Sequence, residues 1–456
     1  MLTKKLATFI TKTNFDSLPI EATEKAKSHI LDCMGVMLAG STQHVGKLIT
    51  QFVKTMGGNP QSGVVAGGFK TSAPNAALAN GTMGHALDFD DDSDTAISHP
   101  SVTVLPAILA LGEDKASGKD VLTSYVIGEE VMARIASVPG LIPGHYEKGW
   151  HATSTIGIIG AVTAGAKILD LDIEQIRTAF GIAASEASGL RSNFGTMVKP
   201  FHAGSAAAKS VAAALLAKAG FTANPNIFES PYGFLSLFGE NEEFDVDKVT
   251  ANLGRTFDII SPGINIKKYP CCYYTHSSMD ALLYLLNEHN LSPKDIQHIR
   301  CGLSKIATQV LKHPYPANGM EAKFSLPYCL ALILLNNEAK IEDFEDEKVC
   351  DTTINQYMKK IEPYVFPELS KEGKTLGAVI HIETTSGEKY DHKIEKPIGN
   401  GSSPLSWETL VSKFKYCSSL VLHSNDVEFL ETSVKKLETI PKIKELVEVL
   451  SKEPKK

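Results

Sequence analysis

Apolar residues recur at helical spacing through most of the first half of the chain. This pattern is typical of α-helices that bury one face or more, and Gly40 is the expected C-terminal cap of the first of them. The last two segments with this pattern are rich in alanine and glycine and almost uncharged, so neighbouring backbones are expected to pack closely there. The pattern predicts an all-helical domain over residues 1–264. Its helical segments are residues 18–40, 101–118, 120–137, 151–172 and 203–223.

The pattern changes after residue 264. One helix is expected over about 275–289, and alternating apolar and polar positions predict a strand at 296–303 and a hairpin over 378–395. Helical spacing returns around 324–336 and 345–359. These elements predict an α+β module over residues 265–403. The charged helical residues 404–456 are expected to return to the first domain, which gives a mainly α fold with an inserted α+β domain.

Composition narrows the class of protein. The chain has 456 residues, a net charge of −7 and 43% hydrophobic residues, as in a globular enzyme-sized protein. No basic stripe indicates nucleic-acid binding, and no run of 18 apolar residues predicts a membrane span. The seven scattered cysteines favour a reducing compartment over a disulfide framework, so we expect a cytoplasmic protein.

The stretch "GHALDFDDDSDTAISHPS", residues 84–101, holds an unusual density of carboxylates. Its spacing resembles the opening of a calcium loop, but Ser93 replaces the expected glycine and His99 the expected glutamate. A solvated acidic loop is a second interpretation. A third is that one or two carboxylates position a histidine or carry a proton. The five aspartates are Asp88, Asp90, Asp91, Asp92 and Asp94.

Three other stretches place a basic side chain at the expected start of a helix: "EKGWHATSTIG", "GLRSNFGTMVKPFHAGSAA" and "IKKYPCCYYTHSSMD". Hydroxyl groups there can simply cap a helix, a lysine can extend to solvent, and tyrosines can fill a core. Converging helix N-termini with Arg or Lys would instead form a pocket for carboxylates, with histidines as proton carriers. The residues concerned are His151, Arg191, Lys199, His202, Tyr274 and His276.

Four stretches in register resemble the MmgE/PrpD family: "HALDFDDDSDTAISHPSVTVLPA", "KGWHATSTIGIIGAVTAGAKIL", "LRSNFGTMVKPFHAG" and "KKYPCCYYTH". The resemblance covers nearly the whole chain. It implies a helical domain with a smaller α+β lid, assembled as a homodimer without metal or other cofactor. It also implies chemistry on small di- or tricarboxylates, as in 2-methylcitrate dehydratases, cis-aconitate decarboxylases and iminodisuccinate epimerases.

The resemblance assigns active-site positions to matching residues of this chain. Lys199 and His276 would clamp substrate carboxylates, His99 and His151 would exchange protons, and Asp88 would orient an imidazole. Asp92 matches only approximately, because the loop "DDSDTAIS" departs in length from that of the decarboxylases. The expected catalytic residues are Asp88, His99, His151, Lys199 and His276. The expected substrate-binding residues are Asp92, Arg191, His202 and Tyr274.

The expected function is therefore that of a metal-independent lyase. It would dehydrate a 2-methylcitrate-like substrate or decarboxylate a cis-aconitate-like substrate through histidine acid–base catalysis. An epimerase of a dicarboxylate such as iminodisuccinate is the alternative, followed by a non-catalytic carboxylate binder.

Overall fold

The computed structural model describes residues 1–142, 144–239, 245–371 and 373–455. The chain forms two compact units, one made of Met1–Ile266 with Ser406–Lys456 and one made of Lys267–Leu405. Helices make up 58% of the chain and strands 8%, so the predicted mainly α class is confirmed. Each unit has a hydrophobic core of its own.

Among its described residues, the first unit contains helices and two short strands, β1 Ser62–Gly63 and β2 Lys70–Thr71. The fifth helix is buried along its full length, and the core lies around it. The helices before the second unit are α1 Leu2–Lys12, α2 Ile20–Ser41, α3 His44–Met56, α4 Ala73–His85, α5 Ser101–Gly112, α6 Gly118–Ala136, α7 Gly144–Glu147, α8 Ala152–Thr155, α9 Gly157–Ile168, α10 Ile173–Ser185, α11 Val198–Lys218, α12 Phe234–Phe238 and α13 Val246–Thr250.

Several glycines within the helices of this unit mark close contacts between helices. The prediction that Gly40 caps α2 is wrong, because the helix continues to Ser41. A Cβ atom on Gly40 would lie 1.9 Å from the carbonyl oxygen of Met83, so glycine is needed there for packing. Likewise, a Cβ on Gly81 of α4 would lie 2.8 Å from the Cα of Gly204 of α11. The predicted close approach of small-residue helices is confirmed at this crossing.

Two predicted segments begin or divide differently in the structure. Residues 151–172 form α8 and α9 with a break at Ile156 instead of a single helix. The segment predicted from residue 203 begins at Val198, which places Lys199 and His202 in the first turns of α11. Both basic side chains are therefore held by a helix that is mostly buried.

The second unit packs helices on a four-stranded sheet of order β4-β3-β5-β6. The strand predicted at 296–303 and the hairpin predicted within 378–395 are confirmed, and α14 packs against both hairpin strands. The parallel pairing of β4 with β3 escaped prediction, and the segment 345–359 forms two short helices instead of one. The elements are α14 His276–Glu288, β3 Ile296–Leu303, α15 Lys305–Val310, α16 Gly319–Ala322, α17 Leu326–Asn336, α18 Asp346–Val349, α19 Thr352–Met358, β4 Ile361–Val365, β5 Ala378–Thr384 and β6 Lys389–Ile394.

The C-terminal helices belong to the first unit. They are α20 Trp407–Ser418, α21 Ser424–Lys435 and α22 Lys444–Leu450, and α20 packs along α2. Within the described ranges, no helix combines the length and apolar character needed to cross a membrane.

Candidate active site

The carboxylate loop, residues 86–100, connects α4 to α5. Asp88 has φ 53° and Ile97 has φ 46°, both in the left-handed region. This backbone conformation is costly for side chains with a Cβ, and most of all for a β-branched residue such as Ile97. Contacts from the surrounding helices must therefore hold the loop in place, as described below.

Asp88 forms an ion pair with Lys199. The Nζ atom of Lys199 is 2.9 Å from Asp88 Oδ1, and both side chains are buried. Buried charges that are paired avoid most of the desolvation cost of an isolated ion. His99 completes this group, with Nε2 4.0 Å from Asp88 Oδ1 and 3.7 Å from Asp92 Oδ2.

The hydrogen bonds of His99 fix which ring nitrogen carries the proton in the neutral form. Its Nδ1–H donates to the backbone carbonyl of Asp91 at 2.7 Å, because a carbonyl can only accept. The backbone N–H of His99 donates to Thr153 Oγ1 at 3.1 Å, which also anchors the ring. Nε2 is thus left able to accept a proton on the side of Asp88 and Asp92.

His85 and Asp90 form a buried pair next to the His99 ring. His85 Nδ1 lies 2.8 Å from Asp90 Oδ2, and the His85 and His99 rings are 4.4 Å apart. Burial and the nearby Lys199, opposed in part by Asp90, lower the pKa of His85 to about 3. Burial alone would raise the pKa of Asp90, but the two imidazoles hold it well below its usual value. A neutral imidazole therefore donates to a carboxylate at neutral pH.

Asp91 is fixed by a second set of hydrogen bonds. Its Oδ2 accepts from Ser101 Oγ at 2.5 Å and lies 3.1 Å from His29 Nδ1, and Ser101 Oγ is 2.5 Å from Tyr125 Oη. Asp90 and Asp91 are both buried. The interpretation of this stretch as a solvated acidic loop is therefore wrong for these two residues, which are structural carboxylates.

His151 and His202 form the opposite side of the cluster. Their Nδ1 atoms are 3.0 Å apart, so one ring donates a hydrogen bond to the other. Burial lowers the pKa of His151 well below its usual value, and Lys199 lowers it further. Burial and Lys199 also lower the pKa of His202 to about 4. The Phe194 ring packs edge-on against His151 with 4.9 Å between ring centroids.

Arg191 lies at the edge of this cluster and not inside it. Its guanidinium stacks 3.7 Å from the centre of the Tyr146 ring and donates to the Tyr146 carbonyl at 2.5 Å. The same guanidinium is 5.9 Å from the Phe194 ring, which Lys199 approaches to 5.4 Å. Arg191 and Lys199 thus both approach the Phe194 ring. The structure brings together Asp88, Asp92, His99, His151, Lys199 and His202 of the predicted site.

The other predicted site residues, His276 and Tyr274, belong to the second unit. His276 is the first residue of α14 and is buried, and Tyr274 is half-buried in the preceding 3₁₀ turn. His276 Nε2 lies 3.3 Å from the carbonyl oxygen of Cys271. Burial would raise the pKa of the Cys271 thiol, but hydrogen bonds from Cys329 and His276 lower it to about 5.

The chemistry of the loop allows one test of a metal site. Ligand atoms of His85, Asp88, Asp90 and His99 lie within 4.8 Å of one another, close enough to surround a cation. The oxygens are already engaged, however, since Lys199 contacts Asp88 and the two imidazoles contact Asp90. An ammonium group and imidazole N–H groups thus supply the compensation that a cation would supply.

Sequence reasoning did not single out the residues that support the loop from behind. His85 lies in the carboxylate-rich stretch without a role of its own in the predicted site, and His29 and Tyr125 lie in helices with no motif around them. A polar residue at a position where helical spacing predicts an apolar one is the sequence signal that could have pointed to His29 and Tyr125.

Two family models match the chain. One is described as the MmgE/PrpD N-terminal domain and matches residues 4–247, and the other is described as the MmgE/PrpD C-terminal domain and matches residues 269–439. The second match extends past the second compact unit into the C-terminal helices.

Curated relatives align over most of the chain. The cis-aconitate decarboxylase of Mus musculus is 29% identical over 430 residues, which are 91% of this chain and 86% of the relative. That of Homo sapiens is 29% identical over 453 residues, 96% of this chain and 92% of the relative. The 2-methylcitrate dehydratase of Escherichia coli (strain K12) is 24% identical over 377 residues, 76% of this chain and 75% of the relative.

Proposed function

Because the chain belongs to the MmgE/PrpD family, we propose that it is a lyase acting on a small tricarboxylate. Decarboxylation of a cis-aconitate-like substrate is the first candidate reaction, since the decarboxylases of mouse and human align over 91% and 96% of the chain. Dehydration of a 2-methylcitrate-like substrate is the second, supported by the Escherichia coli relative at 24% identity.

The observation that carries the proposal is the buried pairing of Lys199 with Asp88 at 2.9 Å, surrounded by imidazoles. A polyanionic substrate needs positive charge and hydrogen-bond donors inside a site that excludes water. Lys199 offers the charge to a substrate carboxylate, while Asp88 keeps the ammonium in place. His99 and His151 approach from two sides as candidate proton carriers.

Decarboxylation places one demand on these residues. When the bond between carbon and the departing carboxylate breaks, its electron pair moves to the substrate's alkene and neighbouring carboxylate, and a proton must then reach carbon. Lys199 would stabilise the negative charge while it is delocalised. His151 is neutral in the free protein, and bound carboxylates would raise its pKa, because nearby negative charge favours the imidazolium. The ring would then carry the proton that carbon needs.

The alternative functions would give these residues other roles. A dehydratase needs a base for the proton α to a carboxylate and an acid for the departing hydroxyl group. An epimerase of a dicarboxylate such as iminodisuccinate needs two proton carriers on opposite faces, a role open to His99 and His151. A non-catalytic carboxylate binder would need the lysine but no pair of titrating imidazoles.

The proposal also covers cofactor requirement, the site residues of the second unit, cellular location and assembly. We infer that the reaction needs no metal or other cofactor, because Lys199 and the imidazoles take up the charge of the carboxylates. His276 and Tyr274 stay predicted site residues of the second unit. The seven cysteines are free, which supports a cytoplasmic location, and a homodimer is the proposed assembly.

The proposal is tested by incubating the protein with cis-aconitate, 2-methylcitrate, citrate and iminodisuccinate, with and without EDTA. Carbon dioxide release from cis-aconitate, unchanged by EDTA, is the expected result. Alkene absorbance from 2-methylcitrate would identify the dehydratase, and deuterium uptake without loss of substrate would identify the epimerase. Turnover of none of them, with thermal stabilisation by one, would replace the lyase by a binder.

Two variants locate the reaction at this site. Lys199→Ala should chiefly raise KM, because it removes the charge that holds a substrate carboxylate. His151→Gln should chiefly lower kcat, because glutamine cannot titrate. Wild-type kinetics in both variants would contradict the assignment of the site.

A further inference from the structure

Lys413, near the C-terminus, reaches the backbone of the carboxylate loop. Its Nζ atom donates to the carbonyl oxygen of Phe89 at 2.7 Å and lies 3.8 Å from the centre of the Phe89 ring. Phe89 stands between Asp88 and Asp90, which contact Lys199 and His85. Lys413 thus holds the loop at Phe89, the residue between the two paired carboxylates Asp88 and Asp90.

The ammonium group of Lys413 is compensated by Asp32 of α2. Its Nζ atom is 2.7 Å from Asp32 Oδ1, and both side chains are buried. Burial raises the pKa of Asp32 to about 6, although Lys413 and His29 act in the opposite direction. A buried charge pair of this kind is weak evidence of stabilisation, because desolvation offsets much of the attraction. The contact of Lys413 with Phe89 indicates a second role for this pair, which is to position the loop.

Asp32 shares its helix face with a second residue that supports the loop. His29 precedes Asp32 by three positions on α2, so the two side chains project in the same direction. His29 contacts the Asp91 carboxylate at 3.1 Å. One face of α2 therefore supports the loop at two points. His29 contacts Asp91 directly, and Asp32 acts through Lys413, which contacts Phe89.

Close packing of α20 on α2 makes this reach possible. A Cβ on Gly35 would lie 3.1 Å from Cδ2 of Phe414, the residue after Lys413. The absence of a side chain at Gly35 lets the two helices approach at the level of the charge pair. The contact is thus determined by packing between segments far apart in the sequence.

We propose that Lys413, held by Asp32, is a positioning residue that fixes the carboxylate loop in its reactive geometry. The left-handed backbone at Asp88 is strained, so the loop would relax once its Phe89 carbonyl lost the buried donor. Relaxation would displace Asp88 and His99 from Lys199 and the substrate. This inference rests on the proposed lyase function for its kinetic test, but not for its spectroscopic one.

The kinetic test compares a single and a double variant. Lys413→Met should lower kcat by about 10²-fold, as small misplacements of catalytic groups do, with a far smaller change in KM. It should also lower Tm, because Asp32 is left as a buried unpaired carboxylate. Asp32→Asn with Lys413→Met removes both charges, so Tm should recover while kcat stays low. Lys415→Met, which removes an exposed lysine of the same helix paired with Glu431, is the matched control and should leave both unchanged.

Recovery of kcat together with Tm in the double variant would overturn the proposal, because the pair would then be purely structural. Unchanged kcat in Lys413→Met would overturn it as well.

A substrate-independent measurement covers the case in which the wild type turns over none of the tested acids. In protein with ¹⁵N-labelled histidine, the ring signals of His99, assigned with His99→Gln, should report a proton on Nδ1. Lys413→Met should redistribute that proton, because the Asp91 carbonyl moves with the loop. Identical His99 signals in both proteins would overturn the proposal, whatever the reaction.

Discussion

At the scale of single residues, burial decides the charge of the candidate site. Burial and the nearby ammonium of Lys199 lower the pKa values of His85, His151 and His202, so these rings are neutral at neutral pH. Lys199 is thus a cation among neutral rings, paired with Asp88. An anionic ligand bound in such a site would raise the pKa values of the neighbouring imidazoles, so one of them would take up a proton.

Binding of a polycarboxylate should therefore take up protons. The free pKa of His151 lies below the ordinary 6.5, and a bound anion raises it, so between the two values the complex holds more protons than the free protein. We expect an uptake of up to about one proton at neutral pH, declining as the pH rises above the pKa of the complex. Calorimetric titration with propane-1,2,3-tricarboxylate, which lacks the alkene, in buffers of different ionisation enthalpy measures it.

His151→Gln is the control for this titration, and its uptake should be smaller than that of the wild type. Equal binding enthalpies in every buffer would show that no proton is taken up and would contradict the assignment of neutral imidazoles.

At the scale of elements, the site depends on how closely α4 and α11 approach. α4 leads into the carboxylate loop, and α11 carries Lys199 and His202 in its first turns. The two helices cross at Gly81 and Gly204, with no room for side chains between the backbones. The ion pair between Lys199 and Asp88 depends on that crossing.

Gly204→Ala should destabilise the fold. The added Cβ would lie 2.2 Å from the carbonyl oxygen of Leu78, so the helices must separate. Overpacking of this kind costs about 1–3 kcal/mol of unfolding free energy, measured by urea denaturation. Ser205→Ala, at the next position of α11, is the control and should stay close to the wild type. A Gly204→Ala variant as stable as this control would show that the crossing tolerates a side chain.

At the scale of the whole molecule, residues far apart in the sequence build the first unit. The chain leaves this unit at Ile266 and returns at Ser406, and the returning helix α20 packs along α2. Through Lys413 the returning segment contacts the carboxylate loop, which lies more than three hundred residues earlier. The α+β unit is thus an insertion in the chain of the helical unit.

An exposed apolar face of α3 is a candidate contact surface for the proposed homodimer. Exposed apolar side chains of α3 recur every fourth residue and so share one helix face, a pattern that favours association. They are Leu48, Phe52 and Met56, with exposures of 51%, 49% and 62%. Sedimentation equilibrium should give about twice the chain mass of 49.2 kDa. A mass of one chain at all micromolar concentrations would contradict the dimer.

Much of the architecture was predictable because it is encoded locally. The alternating pattern of residues 296–303 predicted a strand with the observed bounds, and the helical spacing of 101–118 and 120–137 predicted α5 and α6. β4 escaped prediction because its apolar alternation is short and includes Pro363. Gly40 was misassigned because a glycine needed for packing and one that ends a helix are identical in sequence.

The candidate site was only partly predictable, for a related reason. The residue types at Asp88, His99, His151 and Lys199 could be recognised from their motifs, and the structure brings these four together. The motifs did not say which aspartates are buried or which ring nitrogens carry protons. Nor did they point to Lys413, an ordinary lysine in a charged helix.

The helical and strand periodicities, the mainly α class and the chemical character of the candidate residues could be predicted from local sequence, because each depends on neighbours within a few positions. The folded structure was needed to show that Asp90 and Asp91 are buried, that the rings of His85, His151 and His202 are neutral and that Lys413 contacts the carboxylate loop. Charge state and burial depend on the atoms that surround a group in space, and here those atoms come from segments up to several hundred residues away.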